Sequence, residues 1–140
     1  LTRTIEAMML PEIEQLVAAV ASAEPSILAA WIFGSRARGE AKPGSDLDVG
    51  LLAMPGVTPP AGIEERVAAE IAGRTGLDID VSQIGEERPT LSFEVVSAGR
   101  RVFARDAERA DIAEERLRWV YLDTAHIRRV QNHYLYGDPL

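Results

Sequence analysis

The residues best suited to chemistry lie in one stretch, Gly34-Ser35-Arg36-Ala37-Arg38-Gly39-Glu40-Ala41-Lys42-Pro43-Gly44-Ser45-Asp46-Leu47-Asp48-Val49. Asp46 and Asp48 are two residues apart at the start of an apolar run. Strand side chains alternate between faces, so these two carboxylates project together while Leu47 and Val49 point to the core. Two like charges about 4 Å apart repel by roughly 4 kcal/mol at an effective dielectric near 20. Solvent, protonation or a cation must relieve that repulsion. Carboxylates suit hard divalent ions, and Mg2+ takes one or two of them together with substrate phosphates. At the other end of the stretch, Gly34 admits backbone conformations closed to other residues and lets a phosphate approach. Ser35 adds a hydroxyl and a backbone N–H. A short helix over 35–40 would turn free N–H groups toward an anion. Arg36, Arg38 and Lys42 add positive charge. Phosphate donors at one end and carboxylates at the other imply a metal–nucleoside triphosphate complex. Taken alone, Asp-x-Asp is an ordinary solvated strand end and Gly-Ser an ordinary turn; the argument rests on the combination.

The flanking sequence supplies a scaffold. Ile27 to Phe33 reads as a buried strand and Leu47 to Leu52 as a second, so the polar stretch is a turn between two strands. Ahead of them, Ile5, Met8, Met9, Ile13, Leu16, Val17 and Val20 recur at helical spacing over 4–23, with Pro11 starting or kinking the helix. A loop at 54–60 leads to a helix from about Ala61 to Arg74, with Ile63, Val67, Ala68 and Ile71 inward and Gly73 and Gly76 at its end. Leu77 to Ile84 alternates as a third strand, with Asp78, Asp80 and Ser82 on one face. Pro89 to Ala98 reads as a short helix, Gly99 as its cap and Arg100 to Ala104 as a last strand. A terminal helix opens at Asp106 or Asp111 and runs to 134–136. Ala110, Ala113, Leu117, Val120, Thr124 and Ile127 form one stripe on it. Ile112, Trp119, Leu122 and Val130 fall outside that stripe. So much apolar surface implies either a partner face or a helix buried on both sides. His126 and His133 lack companion ligands and read as surface residues.

The expected fold class is α/β, a small mixed sheet flanked by helices with a long C-terminal helix. One domain over 1–140 is expected, with its core at about 27–104 and the closing helix at about 106–136. With 15 Lys and Arg against 22 Asp and Glu, the net charge is −7. An acidic chain is a poor general binder of nucleic acid, which argues against a templated polymerase or a tRNA-tailing enzyme. There is no cysteine, so disulfides and Cys-based zinc sites are excluded. No apolar run approaches the roughly 20 residues of a membrane span, and no signal peptide is evident; a cytoplasmic location is expected.

Gly34-Ser35, Ala37, Gly39, Ser45-Asp46 and Asp48 match the pattern Gly-Ser-x-Ala-x-Gly-x(5)-Ser-Asp-x-Asp. In this the chain resembles the minimal nucleotidyltransferases of the DNA polymerase β superfamily. The Gly-Lys-Ser/Thr of a Walker loop is absent. The helix-Gly-strand run from Glu94 to Phe103 is also similar to that family. The resemblance implies a polymerase-β-like nucleotidyltransferase fold with in-line attack at the α-phosphorus of ATP. It implies that Gly34, Ser35, Arg36 and Ser45 hold the nucleotide and that Asp46 and Asp48 hold Mg2+. It also implies a third carboxylate from the neighbouring strand for a second Mg2+. Asp80, in its apolar-Asp-apolar setting, is the choice and Asp78 the alternative; Glu94 is expected to be a surface helix carboxylate.

In size and in its closing helix the chain most resembles the MntA antitoxin family of the HEPN/MNT toxin–antitoxin systems. That resemblance implies a HEPN-domain partner, a HepT-like RNase toxin, silenced by AMP transfer to a tyrosine. A hetero-oligomer is then expected, and a homodimer is a further option. Two other classes remain open from sequence: an antitoxin that acts by binding alone, and a small-molecule nucleotidyltransferase of the aminoglycoside type. The chain has no room for the extra substrate domain of the latter.

Overall fold

The computed structural model describes residues 10–37, 39 and 46–140. The elements run α1 (Leu10–Ser22), β1 (Ile27–Phe33), β2 (Leu47–Ala53), α2 (Ile63–Thr75), β3 (Ile79–Ile84), α3 (Pro89–Ala98), β4 (Arg100–Ala104), α4 (Ala107–Asp123) and α5 (Ala125–Tyr136). The sheet order is β3-β2-β1-β4. β1 lies antiparallel to both β2 and β4, and β2 lies parallel to β3. The expected mixed α/β sheet with flanking helices is what the chain forms.

Every residue of β1 is buried, because helices cover both faces of the sheet. One core joins Ile13, Val17 and Val20 of α1 and Ile63, Val67 and Ile71 of α2 to Ala30, Ile32, Leu47, Val49 and Leu51. The other joins Val95 and Val96 of α3 and Ala110 and Leu117 of α4 to Ala29, Trp31, Phe33 and Ile84. A register shift between Ile27 and Ala29 marks a bulge, so Leu28 and Ala29 both serve the second core. Trp31, 1% exposed, gives its Nε1–H to Glu114 Oε1 at 3.2 Å, which fastens α4 to the centre of the sheet. α3 approaches the sheet closely over Gly50: a Cβ there would lie 3.0 Å from Val95 Cγ1.

Several expected boundaries shift for local reasons. α1 is helical from the first described residue, Leu10, through Pro11 to Ser22; the expected apolar positions Ile5, Met8 and Met9 lie outside the described residues. β3 begins at Ile79 rather than Leu77. α2 ends in a left-handed Gly76 (φ +66), and the buried Thr75 Oγ1 accepts the Leu77 N–H, so the chain is still turning there. The expected single terminal helix is two helices. At Thr124 (φ −93, ψ 3) the hydroxyl donates back to Val120 and Tyr121 carbonyls, and Arg128 reaches the Tyr121 carbonyl and Thr124 Oγ1. Such back-bonding by a mid-helix threonine bends the helix. Asp106, not Asp111, opens α4, accepting the Arg109 N–H at 3.1 Å. Among the described residues, no helix is long and apolar enough to cross a membrane.

Candidate active site

The candidate residues gather at one end of the sheet because of strand register. Phe33 of β1 pairs with Asp48 of β2, and Asp48 pairs with Asp80 of β3. Paired residues on adjacent strands project from the same face, about 4.8 Å apart along the hydrogen-bonding direction. Phe33, Asp48 and Asp80 therefore form a row on the face that α3 and α4 cover farther along. Leu47 and Val49, buried at 0% exposure, anchor β2 through the opposite face. Asp48 is half-buried, and Asp46 and Asp80 are exposed.

Gly34 ends β1 with φ +76. The space its side chain would fill is held by the Asp48 carboxylate: a Cβ at Gly34 would overlap Asp48 Oδ2. Glycine is thus required twice here, by the left-handed backbone and by the carboxylate lying against it. Ser35, Arg36 and Ala37 are half-buried and form a turn, with the Gly39 N–H reaching the Arg36 carbonyl at 3.3 Å. The described part of the expected short helix over 35–40 is therefore a turn, tightened at Gly39 by its own left-handed φ of +71. Ser45, Arg38 and Lys42 lie outside the described residues.

Asp78 precedes β3, and its carbonyl accepts the Leu47 N–H at 2.8 Å. Its backbone therefore closes the β2–β3 ladder, while Asp80 stands opposite Asp48. Among the described residues, no three His, Asp or Glu side chains converge as they would around a bound ion. A facing pair of carboxylates nevertheless fits Mg2+, which takes one or two carboxylates and leaves its other positions to phosphate oxygens and water. Glu94 is exposed on α3, as expected.

Two neighbours flank the carboxylates: Phe33, which the sequence marks only as the end of a buried strand, and Ser82, which it places on the Asp80 face. Phe33, 8% exposed, forms an apolar wall beside Asp48, and Gly99 packs against it, with the glycine's would-be Cβ 3.1 Å from Phe33 Cβ. Ser82 pairs with Gly50, one step along the face from Asp80. The alternation of the three strands carries the signal for both, once the register is known.

Comparison with known proteins agrees with this fold. No curated protein matches the chain by sequence. A chain of a toxin–antitoxin crystal structure with AMP-PNP superposes with a TM-score of 0.70 at 17% identity, covering 89% of this chain and 96% of that one. A chain from a tri-AMPylated Shewanella oneidensis HEPN toxin in complex with MNT antitoxin superposes at 0.69 and 17% identity, covering 93% and 98%. A chain of the MntA–HepT toxin–antitoxin structure gives 0.66 at 16% identity, covering 91% and 97%. At these identities the likeness is one of fold. The polymerase beta nucleotidyltransferase family matches residues 15–108, well over half of the 140-residue chain and the whole of the carboxylate-bearing sheet, and the chain belongs to that family.

Proposed function

We propose that this chain transfers AMP from Mg-ATP to a tyrosine of a HEPN-domain, HepT-like toxin and so silences it. The observation that carries the reading is the pairing of Asp48 with Asp80 beside a glycine turn that only glycine can make. It is supported by the fold shared with toxin–antitoxin structures, one with AMP-PNP and one with a tri-AMPylated toxin. In this reading Gly34, Ser35, Arg36 and Ser45 hold the β- and γ-phosphates. Asp46, Asp48 and Asp80 hold Mg2+, which when bound neutralises charge on the triphosphate and on the leaving pyrophosphate. The tyrosine oxygen attacks the α-phosphorus in line, the bond to the bridging oxygen breaks, and pyrophosphate departs. Asp80, exposed at the end of the row, takes up the phenolic proton in the same step. The half-buried Asp48 keeps its orientation through its seat against Gly34. The acidic surface repels free nucleic acid and suits a protein acceptor. A cytoplasmic setting is part of the same reading.

Intact-mass spectrometry of a co-expressed HEPN toxin, with this chain and Mg-ATP, tests it. Each AMP adds about 329 Da, the AMP residue left by phosphoryl transfer with loss of pyrophosphate. The increments are expected to vanish in Asp46→Asn and Asp48→Asn while the fold persists by circular dichroism. An unmodified toxin held in a tight complex would refute transfer and leave neutralisation by binding.

A further inference from the structure

α5 has no buried residue and rests on the end of α4. A helix of 12 residues is marginal on its own in water, so a covered apolar face is what normally holds one in place. Its apolar residues do share a face: Ile127 and Tyr134 are two turns apart, with Leu135 beside them. α4 has the same property on its outer side. Ala110 and Leu117 are buried against the sheet, while Ile112 and Trp119, two positions further on and so nearly opposite, are 62% and 59% exposed. Leu122 extends that outer stripe at 64% exposure. Of the nine exposed large apolar side chains among the described residues, all but Val57 lie at 112–140, so the patch is concentrated rather than scattered.

We infer that the outer face of α4 and α5 is where two copies of this chain associate. Charge identifies the occupant. On α4, Asp111, Glu114 and Glu115 pair with Arg101 and Arg118 of the same chain, while Glu108 and Asp123 lie exposed a turn from Ile112 and Trp119; α5 carries two arginines and no acid, Arg128 held on the Tyr121 carbonyl and Arg129 exposed. A two-fold axis makes a contact reciprocal, so α5 of each copy lies on α4 of the other and the acidic and basic helices meet twice. The apolar stripes then face one another. Ile112, Trp119, Leu122, Ile127, Tyr134 and Leu135 together expose on the order of 700 Å2, close to the ~800 Å2 per partner of a standard interface. The position suits an enzyme. α5 lies beside Thr90 at the start of α3, where Ser92 Oγ binds the Gly85 backbone. Gly85 follows β3 at the end of the sheet opposite Phe33, Gly34 and Asp48.

Sedimentation of the whole chain over a range on the order of micromolar tests this. The expected species has twice the 15.3 kDa mass of the chain. Trp119→Asp and Ile127→Asp each reduce it to a single chain with unchanged circular dichroism, since both side chains are already more than half exposed. Arg129→Glu weakens the pair severalfold. A wild-type chain that stays single at every concentration overturns the inference, as does a pair that survives both substitutions. A single wild-type chain whose capture of a HEPN toxin is lost in Trp119→Asp assigns the face to the toxin instead. AMP transfer by the single-chain variants is expected to persist, so failure here and failure of the transferase reading are distinguishable.

Discussion

Replacing Gly34 by Ala separates two demands that the turn makes on one residue. The first is backbone strain. At φ +76 an L side chain is forced into the left-handed region, which costs about 1–2 kcal/mol. For a chain of 140 residues that amounts to a fall in Tm of about 3–8 °C. The second is the overlap of the new Cβ with Asp48 Oδ2, which forces the carboxylate out of its seat. A misplacement on the order of 1 Å at a reacting centre costs about a hundredfold in rate. Gly56→Ala is the control: it has φ +73 but nothing within 4 Å of its would-be Cβ. Both variants should lose similar stability in thermal melts, while only Gly34→Ala loses AMP transfer, by about a hundredfold or more at a temperature where both are folded. Transfer retained by Gly34→Ala, or lost equally in Gly56→Ala, would refute the claim that Asp48 is held by the glycine it lies against.

Register makes a sharper claim about the third carboxylate: Asp80→Asn should lower transfer at least about a hundredfold, while Asp78→Asn leaves most of it, as read by toxin intact mass. Gly50→Ala puts a methyl 3.0 Å from Val95 Cγ1 and should destabilise by about 1–3 kcal/mol in urea melts, with Val95→Ala in the same chain recovering part of the loss. Thr75→Val keeps the shape of a fully buried side chain but removes the oxygen that accepts the Leu77 N–H at 3.2 Å; a loss of about 1–3 kcal/mol is expected, and no loss would mean that the amide finds another partner.

Much of the fold was legible because local signals agreed. Pro89 at the head of α3, Gly99 after it and the apolar run of β1 each mark an element whose observed bounds match the reading. The errors fall where tertiary or side-chain hydrogen bonds override periodicity. Thr124 sits on the expected apolar stripe, yet its hydroxyl bonds back to Val120 and bends the helix into α4 and α5. Leu77 alternates correctly with Ile79, yet Thr75 Oγ1 and Gly76 keep it in the turn. The phosphate-site pattern over 35–40 favours a helix, whereas Ser35 to Ala37 form a turn and Gly39 has a positive φ. The candidate site divides the same way. Asp46 and Asp48 are legible as a local pair. The standing of Asp80 depends on how far β3 slides along β2, which no local pattern specifies.

That dependence also explains how the two strands place their carboxylates in one row. Asp48 and Asp80 belong to strands separated by a whole helix in sequence, and their spacing is set by the β2–β3 ladder. The ladder is fixed in turn from the other face. Val49 and Val81 pair there, and Leu47 and Leu51 are completely buried against α1 and α2. A slip of one residue would put Asp48 into that core and turn Leu47 toward solvent. Burying an unpaired carboxylate costs several kcal/mol, and exposing a fully buried leucine forfeits about 1.5–3 kcal/mol more. The apolar core on one face of β2 thereby excludes every neighbouring register and fixes the carboxylate row on the other. The precision of the candidate site comes from Leu47, Val49 and Leu51, buried on the opposite face of the strand.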